Sequence, residues 1–198
     1  MAAAPTGSLR RNVLHVPALL LIGYLFCINT MQAADPAPSP APAAQPESAE
    51  KQEFVYHAYI AKPAEDVWKA LTTPDIINKY YMVPVLKLEL KTGGDITYGT
   101  GDNVAISGKI KELRTPDNPE GKAATLTHTF RFHGSKDPES EVAYYIRPYG
   151  PKMCRLTLTH TFPKKCQTLE DISNGWPVIL SSLKTLLETG LAMPWPEN

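Results

Sequence analysis

Two histidines, His128 and His160, fall within runs that alternate apolar and polar residues, 124–132 and 153–162. On a strand, such alternation sends every second side chain to the same face. The more apolar parity gathers Tyr56, His128, Tyr144, Leu158 and His160 with Ile106, Phe130 and Phe162. An imidazole pair on one face, with phenols beside it, could do acid–base chemistry or hold a metal. The register expected from the turns keeps the pair apart. A turn near Gly150 sets Ile146 against Cys154 and Ser140 against His160. A turn at 135–137 sets Phe130 near Tyr144 and His128 near Ile146. The imidazoles would then lie toward opposite ends of the sheet, roughly 20 Å apart at about 3.3 Å per residue. That is too far for a dyad. His57 has outward parity and His133 falls in a turn.

Other chemistry-bearing spacings are missing. No HExxH, CxxC or GxSxG pattern occurs, so no metal, cofactor or activated nucleophile is expected. Gly93-Gly94 and Gly99-Thr100-Gly101-Asp102 are not followed by a helix whose N-terminus could take a phosphate, and are expected to be hairpin turns. Cys154 and Cys166 bracket a strand-like run that advances roughly 25 Å. Four further residues return at most about 14 Å, which leaves the thiols beyond disulfide reach. Lys plus Arg and Asp plus Glu number 20 each. The formal net charge of zero leaves no electrostatic footprint for nucleic acid.

The elements that must position these side chains follow from periodicity. Trp176, Ile179, Leu180, Leu183, Leu186 and Leu187 share one stripe of a helix expected over 174–188, with Pro177 in its first turn and Gly190 as its stop. Such a stripe needs a broad apolar partner, and only the strands upstream can supply one. Phe54, Tyr56, Ala58 and Ile60 alternate as a first strand. Pro63, Glu65 and Asp66 open a short helix that sets Val67, Trp68 and Leu71 on one face. Thr73-Pro74-Asp75 opens a second, carrying Ile76, Ile77, Tyr80 and Tyr81. Strands are expected at 87–90, 96–98, 104–113, 124–132, 141–147 and 153–162. One strand, two helices, a meander of about six strands and a long helix describe an α+β domain with an antiparallel sheet.

Around this domain the composition changes. Residues 1–34 match a secretory signal peptide: Arg10 and Arg11, an apolar run over 13–28, then Ala33-Ala34 at the cleavage point. The run is short for a membrane span, which takes about 20 residues; an uncleaved anchor is the alternative. Residues 35–52 are rich in proline and alanine and are expected to form an extended linker. The folded domain is expected at 53–190 and a tail at 191–198.

Residues 61–72 (AKPAEDVWKALT) resemble the entry segment of the SRPBCC superfamily, the START and Bet v 1-like proteins. Residues 175–188 (GWPVILSSLKTLLE) and 155–160 (RLTLTH) resemble the final helix and last strand of its bacterial branch, named after the activator of heat-shock-protein-90 ATPase. The resemblance spans about 54–190. It implies a helix-grip fold: a curved antiparallel sheet of about six or seven strands wrapped around the C-terminal helix, two short helices after the first strand, and a cavity between sheet and helix. Members of the superfamily bind lipids, sterols, polyketides or other apolar molecules, and some are cyclases or hydrolases. No fixed catalytic motif comes with the resemblance.

The function expected is that of an exported, non-enzymatic domain, secreted or periplasmic. It would bind a small apolar or amphipathic ligand among Trp68, Tyr80, Tyr56, His128, Tyr144, Leu158, Trp176, Leu180 and Leu183. One alternative is a cyclase- or hydrolase-like enzyme using Tyr144, His128 or His160. The other is a protein-interaction module related to chaperone activation, with a protein partner. No nucleic-acid partner is expected, and contact with a membrane only through an uncleaved N-terminal segment.

Overall fold

The computed structural model describes residues 50–117 and 122–195. The expected signal peptide, most of the linker and the last three residues of the tail lie outside them. The chain runs β1 (Gln52–Ile60), α1 (Ala64–Thr72), α2 (Pro74–Tyr80), β2 (Val85–Leu88), β3 (Asp95–Thr100), β4 (Asn103–Arg114), β5 (Ala124–Phe132), β6 (Ser140–Pro148), β7 (Cys154–Phe162) and α3 (Gln167–Thr189). The seven strands form one sheet in the order β1-β7-β6-β5-β4-β3-β2, every neighbouring pair antiparallel. This is the expected α+β architecture, with both short helices following β1.

Alternation builds the core. Along β7 every second residue is buried, from Cys154 through Leu156, Leu158 and His160 to Phe162. The inner faces of β4, β5 and β6 add Ile106, Ile110, Leu126, Phe130, Val142, Tyr144 and Ile146. The apolar side of α3, with Ile172, Trp176, Ile179, Leu180 and Leu183, belongs to the same core. Leu186 and Leu187, at the far end of the stripe, are only half-buried. Cys154 and Cys166 are both free.

Helix α3 begins seven residues before the expected start at 174, and Pro177 is inside it rather than in its first turn. The stripe simply extends backward through Ile172 and Thr168, both buried. The proline removes one backbone donor that Ser173 would otherwise receive, and the helix continues because its ends are held by tertiary contacts. At the N-terminus, the Thr168 backbone N–H and hydroxyl both donate to Asp137 Oδ2, each at 2.7 Å. At the other end, Lys184 Nζ donates to the Tyr59 carbonyl at 2.8 Å, and Glu188 accepts from the Ala61 N–H at 2.7 Å. Gly190 closes the helix at φ 86°, its N–H bonded to Leu186, which is the left-handed stop that glycine takes without strain.

The register differs from the expected one. Phe130 pairs with Ser140 and His128 with Val142, while Val142 also pairs with His160. His128 and His160 therefore flank Val142 on one row of the sheet, roughly 10 Å apart at the Cα level for a strand spacing of about 4.8 Å. They do not lie at opposite ends. Part of the shift arises in the turn after β6, where Ile146 pairs with Leu156 rather than Cys154; the larger part arises in the connection over 133–139, which is no tight hairpin. It reaches out to deliver Asp137 to the start of α3, so its geometry answers to the helix rather than to the turn residues.

Candidate functional site

The centre of the sheet–helix interface is a hydrogen-bonded chain. Trp176 Nε1–H donates to His160 Nδ1 at 3.0 Å. An indole nitrogen only donates, so Nδ1 must be the accepting nitrogen and the His160 proton sits on Nε2. That proton goes to Ser140 Oγ, 2.8 Å away, and the serine hydroxyl donates to the Phe130 carbonyl at 3.1 Å. Every donor has one acceptor, and the chain ties α3 to β7, β6 and β5. Trp176 is 2% exposed, His160 0% and Ser140 5%. Burial lowers the His160 pKa to about 3, with the nearby His128 adding to the shift.

This arrangement decides a chemical question. A serine beside a buried histidine resembles the first two members of a nucleophile–base pair. Here the histidine lone pair is already taken by the indole, and Nε2 carries its proton toward the serine. His160 therefore cannot accept the Ser140 proton, and Ser140 is held rather than activated. His128 is no partner to it. Its Nδ1 lies 2.7 Å from the Thr129 carbonyl, which only accepts, so Nδ1 donates. Its ring stacks against Tyr144 at 6.2 Å. Burial lowers its pKa to about 4, and its hydrogen bond to Thr129 partly opposes that shift.

Aromatic rings fill most of the space between sheet and helix. Tyr81 stacks on Tyr98 at 4.6 Å and meets Trp176 edge-on at 6.1 Å. Tyr144 and Phe130 approach the same indole at 6.2 Å and 6.4 Å. The phenols of Tyr80, Tyr81, Tyr98 and Tyr144 are all pushed above their ordinary pKa, chiefly by burial. What remains open is a cleft of about 100 Å³ at one end of the interface. Ile106, Phe130 and Phe132 from the sheet, Ile172, Gly175, Trp176 and Ile179 from α3, and Tyr81 and Met82 after α2 line it, with Asp171 as its one acid.

Of the residues nominated from sequence, Trp176 alone lines this cleft. Tyr80, His128, Tyr144, Leu158, Leu180 and Leu183 are buried in the core, and Tyr80 donates to the Ala70 carbonyl at 3.2 Å. Tyr56 is half-buried on β1. Trp68 lines a separate, shallower depression with Glu65, Thr115, Pro116 and Asp117. Ile106, Phe130 and Ile179 carried the correct facing in the sequence. Tyr81, expected on the second short helix, is the residue that caps its end, its N–H bonded to the Ile77 carbonyl, and with Met82 it opens an irregular connection whose placement no periodicity encodes. Among the described residues no group of three or more His, Cys, Asp or Glu could hold a metal ion.

A seven-stranded antiparallel sheet packed on a long C-terminal helix, with two short helices after the first strand, is the helix-grip fold of the SRPBCC superfamily. Within it, the chain belongs to the family described as Activator of Hsp90 ATPase homolog 1-like protein, whose model matches residues 61–188. Three solved structures share the fold. CalU16 from Micromonospora echinospora is 24% identical over 73% of this chain and 78% of its own, with a TM-score of 0.57. PFC0360w, described as an HSP90 activator from Plasmodium falciparum, is 20% identical over 69% of this chain and 96% of its own, with a TM-score of 0.55. The Aha1 dimer from Colwellia psychrerythraea is 19% identical over 70% of this chain and 98% of its own, with a TM-score of 0.54. No curated protein matches the chain significantly.

Proposed function

We propose that this is a non-catalytic binding domain that takes the apolar end of a small amphipathic molecule into the cleft beside Trp176. The observation that carries this reading is the cleft wall, apolar throughout except for Asp171. At about 100 Å³ the cleft is smaller than the roughly 150 Å³ cavity that takes benzene. It suits a short alkyl end, with the polar remainder of the ligand outside. The engaged state of His160 and Ser140 argues against the enzymatic alternative.

Gly175 offers a direct test. It lines the cleft, and a Cβ built there meets nothing within 4 Å. The open space at that Cβ lets a side chain start there, so Gly175→Leu should fill the mouth and favour the helix. Titration with a fatty acid carrying an environment-sensitive fluorophore should give saturable binding to the native protein and none to Gly175→Leu, with both melting cooperatively. A native protein that binds no such probe sinks the reading.

The family and the description of the Plasmodium neighbour as an HSP90 activator support a second reading, a protein-interaction module. Tyr59, Tyr145 and Tyr149, each 40% or more exposed, give it a surface. Stimulation of a heat-shock-protein-90 ATPase by the purified domain would favour it over the ligand binder. We further propose export, from Arg10, Arg11 and the apolar run 13–28. N-terminal sequencing of mature protein should begin near Ala34 or Asp35. An intact Met1 in the cytosol would overturn this.

A further inference from the structure

The outer face of the sheet carries a feature that folding alone does not account for. Arg147 on β6 and Arg155 on β7 stand directly opposite one another. Like charges in that relation repel. Neither arginine takes part in an ion pair among the described residues. Both guanidinium carbons lie 5.9 Å from the centre of the Tyr149 ring. That ring meets Tyr59 edge-on at 5.7 Å, and Tyr59 is the register partner of Arg155 on β1. Arg155 Nε is buried and has no hydrogen-bond partner. A satisfied surface would give this nitrogen an acceptor. Two positive charges, an unused donor and exposed phenols converge where no carboxylate of the described residues pairs with them.

We propose that Arg147, Arg155, Tyr149 and Tyr59 form a binding site for a phosphate monoester, on the sheet face opposite the cleft. A phosphate monoester carries a charge of about −1.5 to −2 at neutral pH, which balances two guanidinium groups. Its oxygens can take forked N–H pairs from the two guanidinium groups. The Tyr149 ring attracts both guanidinium groups, and Tyr59 packs edge-on behind it. The phosphate could belong to a soluble molecule or to a lipid headgroup, because the recognised chemistry is the same.

The full chain should be titrated with phenyl phosphate, and separately with phosphatidylcholine vesicles with and without phosphatidic acid. Saturable binding of phenyl phosphate with a Kd of about 1 mM or tighter is expected. Arg147→Gln, at an exposed position, should weaken it at least about tenfold while leaving the melting temperature unchanged. Arg155→Lys keeps the charge but loses the fork, and should weaken it similarly. If Arg155→Lys does not fold, Arg147→Gln decides alone. Vesicle binding that requires phosphatidic acid and is competed by phenyl phosphate identifies a lipid source; binding of phenyl phosphate alone identifies a soluble one. No saturation by about 10 mM phenyl phosphate in the native protein, or equal binding by native and Arg147→Gln, overturns the site.

Discussion

Residues 125–130 and 157–162 have the same sequence, TLTHTF, on β5 and β7. Both copies place leucine, histidine and phenylalanine inward, and both histidines adjoin Val142 across the ladder. Their chemistry nevertheless diverges. His160 lies where α3 brings Trp176 to it, and it becomes the middle of a chain linking four elements. His128 lies toward β4, where Gly108 brings the backbone so close that a Cβ would sit 1.9 Å from the Thr129 carbonyl oxygen. With no partner brought to it by α3, His128 turns to its own strand and donates to Thr129. The phenylalanines part in the same way: Phe162 stacks on His160 at 4.3 Å, while Phe130 becomes a wall of the cleft. Local sequence sets which face a side chain occupies, and the neighbour above that face sets its protonation and bonding.

The sharpest break in this contrast is removal of the neighbour. Trp176→Ala should cost about 3–5 kcal/mol, since the indole is almost fully buried. Denaturant melts will measure it. A loss under about 1 kcal/mol would mean that the indole does not organise the β7 side. The histidines come next. His160→Leu leaves the Trp176 N–H without its acceptor and should cost about 1–3 kcal/mol. His128→Leu removes one bond to an adjacent carbonyl and should cost about 0.5–1.5 kcal/mol. Equal costs for the two would remove the distinction.

The two copies also explain what could be read from sequence. The inner-facing parity of His128, Tyr144, Leu158 and His160 was legible because period-two alternation is a local property. So were the apolar stripe from Trp176 to Leu183 and the helix stop at Gly190. The row shared by the two histidines was not. Register depends on the turn after β6 and, more, on the connection over 133–139, and Asp137 in that connection caps a helix 31 residues later in the chain. The true start of α3 was hidden for the same reason, because a prolyl residue at 177 reads as a first turn unless the distant cap at Thr168 is known. In the cleft, Trp176 was legible from its stripe. Tyr81 and Met82 were not, since only tertiary packing places that connection over Ile106.

Acid should act on both copies, and further on His160. Both histidines are neutral in the fold, with pKa values of about 4 for His128 and about 3 for His160. Their unfolded value is near 6.5. Over the interval between, the unfolded chain binds protons that the native chain refuses, so stability is full above about pH 6.5 and falls as the pH drops. Each histidine can contribute up to about 1.4 kcal/mol per pH unit of that fall. The lowered carboxylates of Asp95 and Asp137 act in the same direction but only below their unfolded range, nearer pH 4. Melts between pH 7 and 5 therefore isolate the imidazoles. His160→Leu and His128→Leu should each flatten the slope, and a double variant should remove most of it. A slope unchanged in the double variant would place the acid sensitivity elsewhere.

The finest test reads protonation rather than stability. The bonding assigns opposite tautomers to the two copies: the proton sits on Nε2 of His160, because Nδ1 receives the indole, and on Nδ1 of His128, because a carbonyl faces it. Nitrogen-15 spectra of imidazole-labelled protein at neutral pH distinguish these forms directly. One histidine should report a protonated Nε2 and the other a protonated Nδ1. Trp176→Phe keeps a ring in place but removes the donor to His160 Nδ1. Ser140 can then donate to Nε2 instead of to Phe130, so the His160 signals should move toward a mixture of tautomers while those of His128 stay fixed. If both histidines carry the same tautomer in the native protein, the hydrogen-bonded chain is wrongly directed. If Trp176→Phe moves His128 as much as His160, the indole does not act on β7 alone, and the separation between the two copies fails.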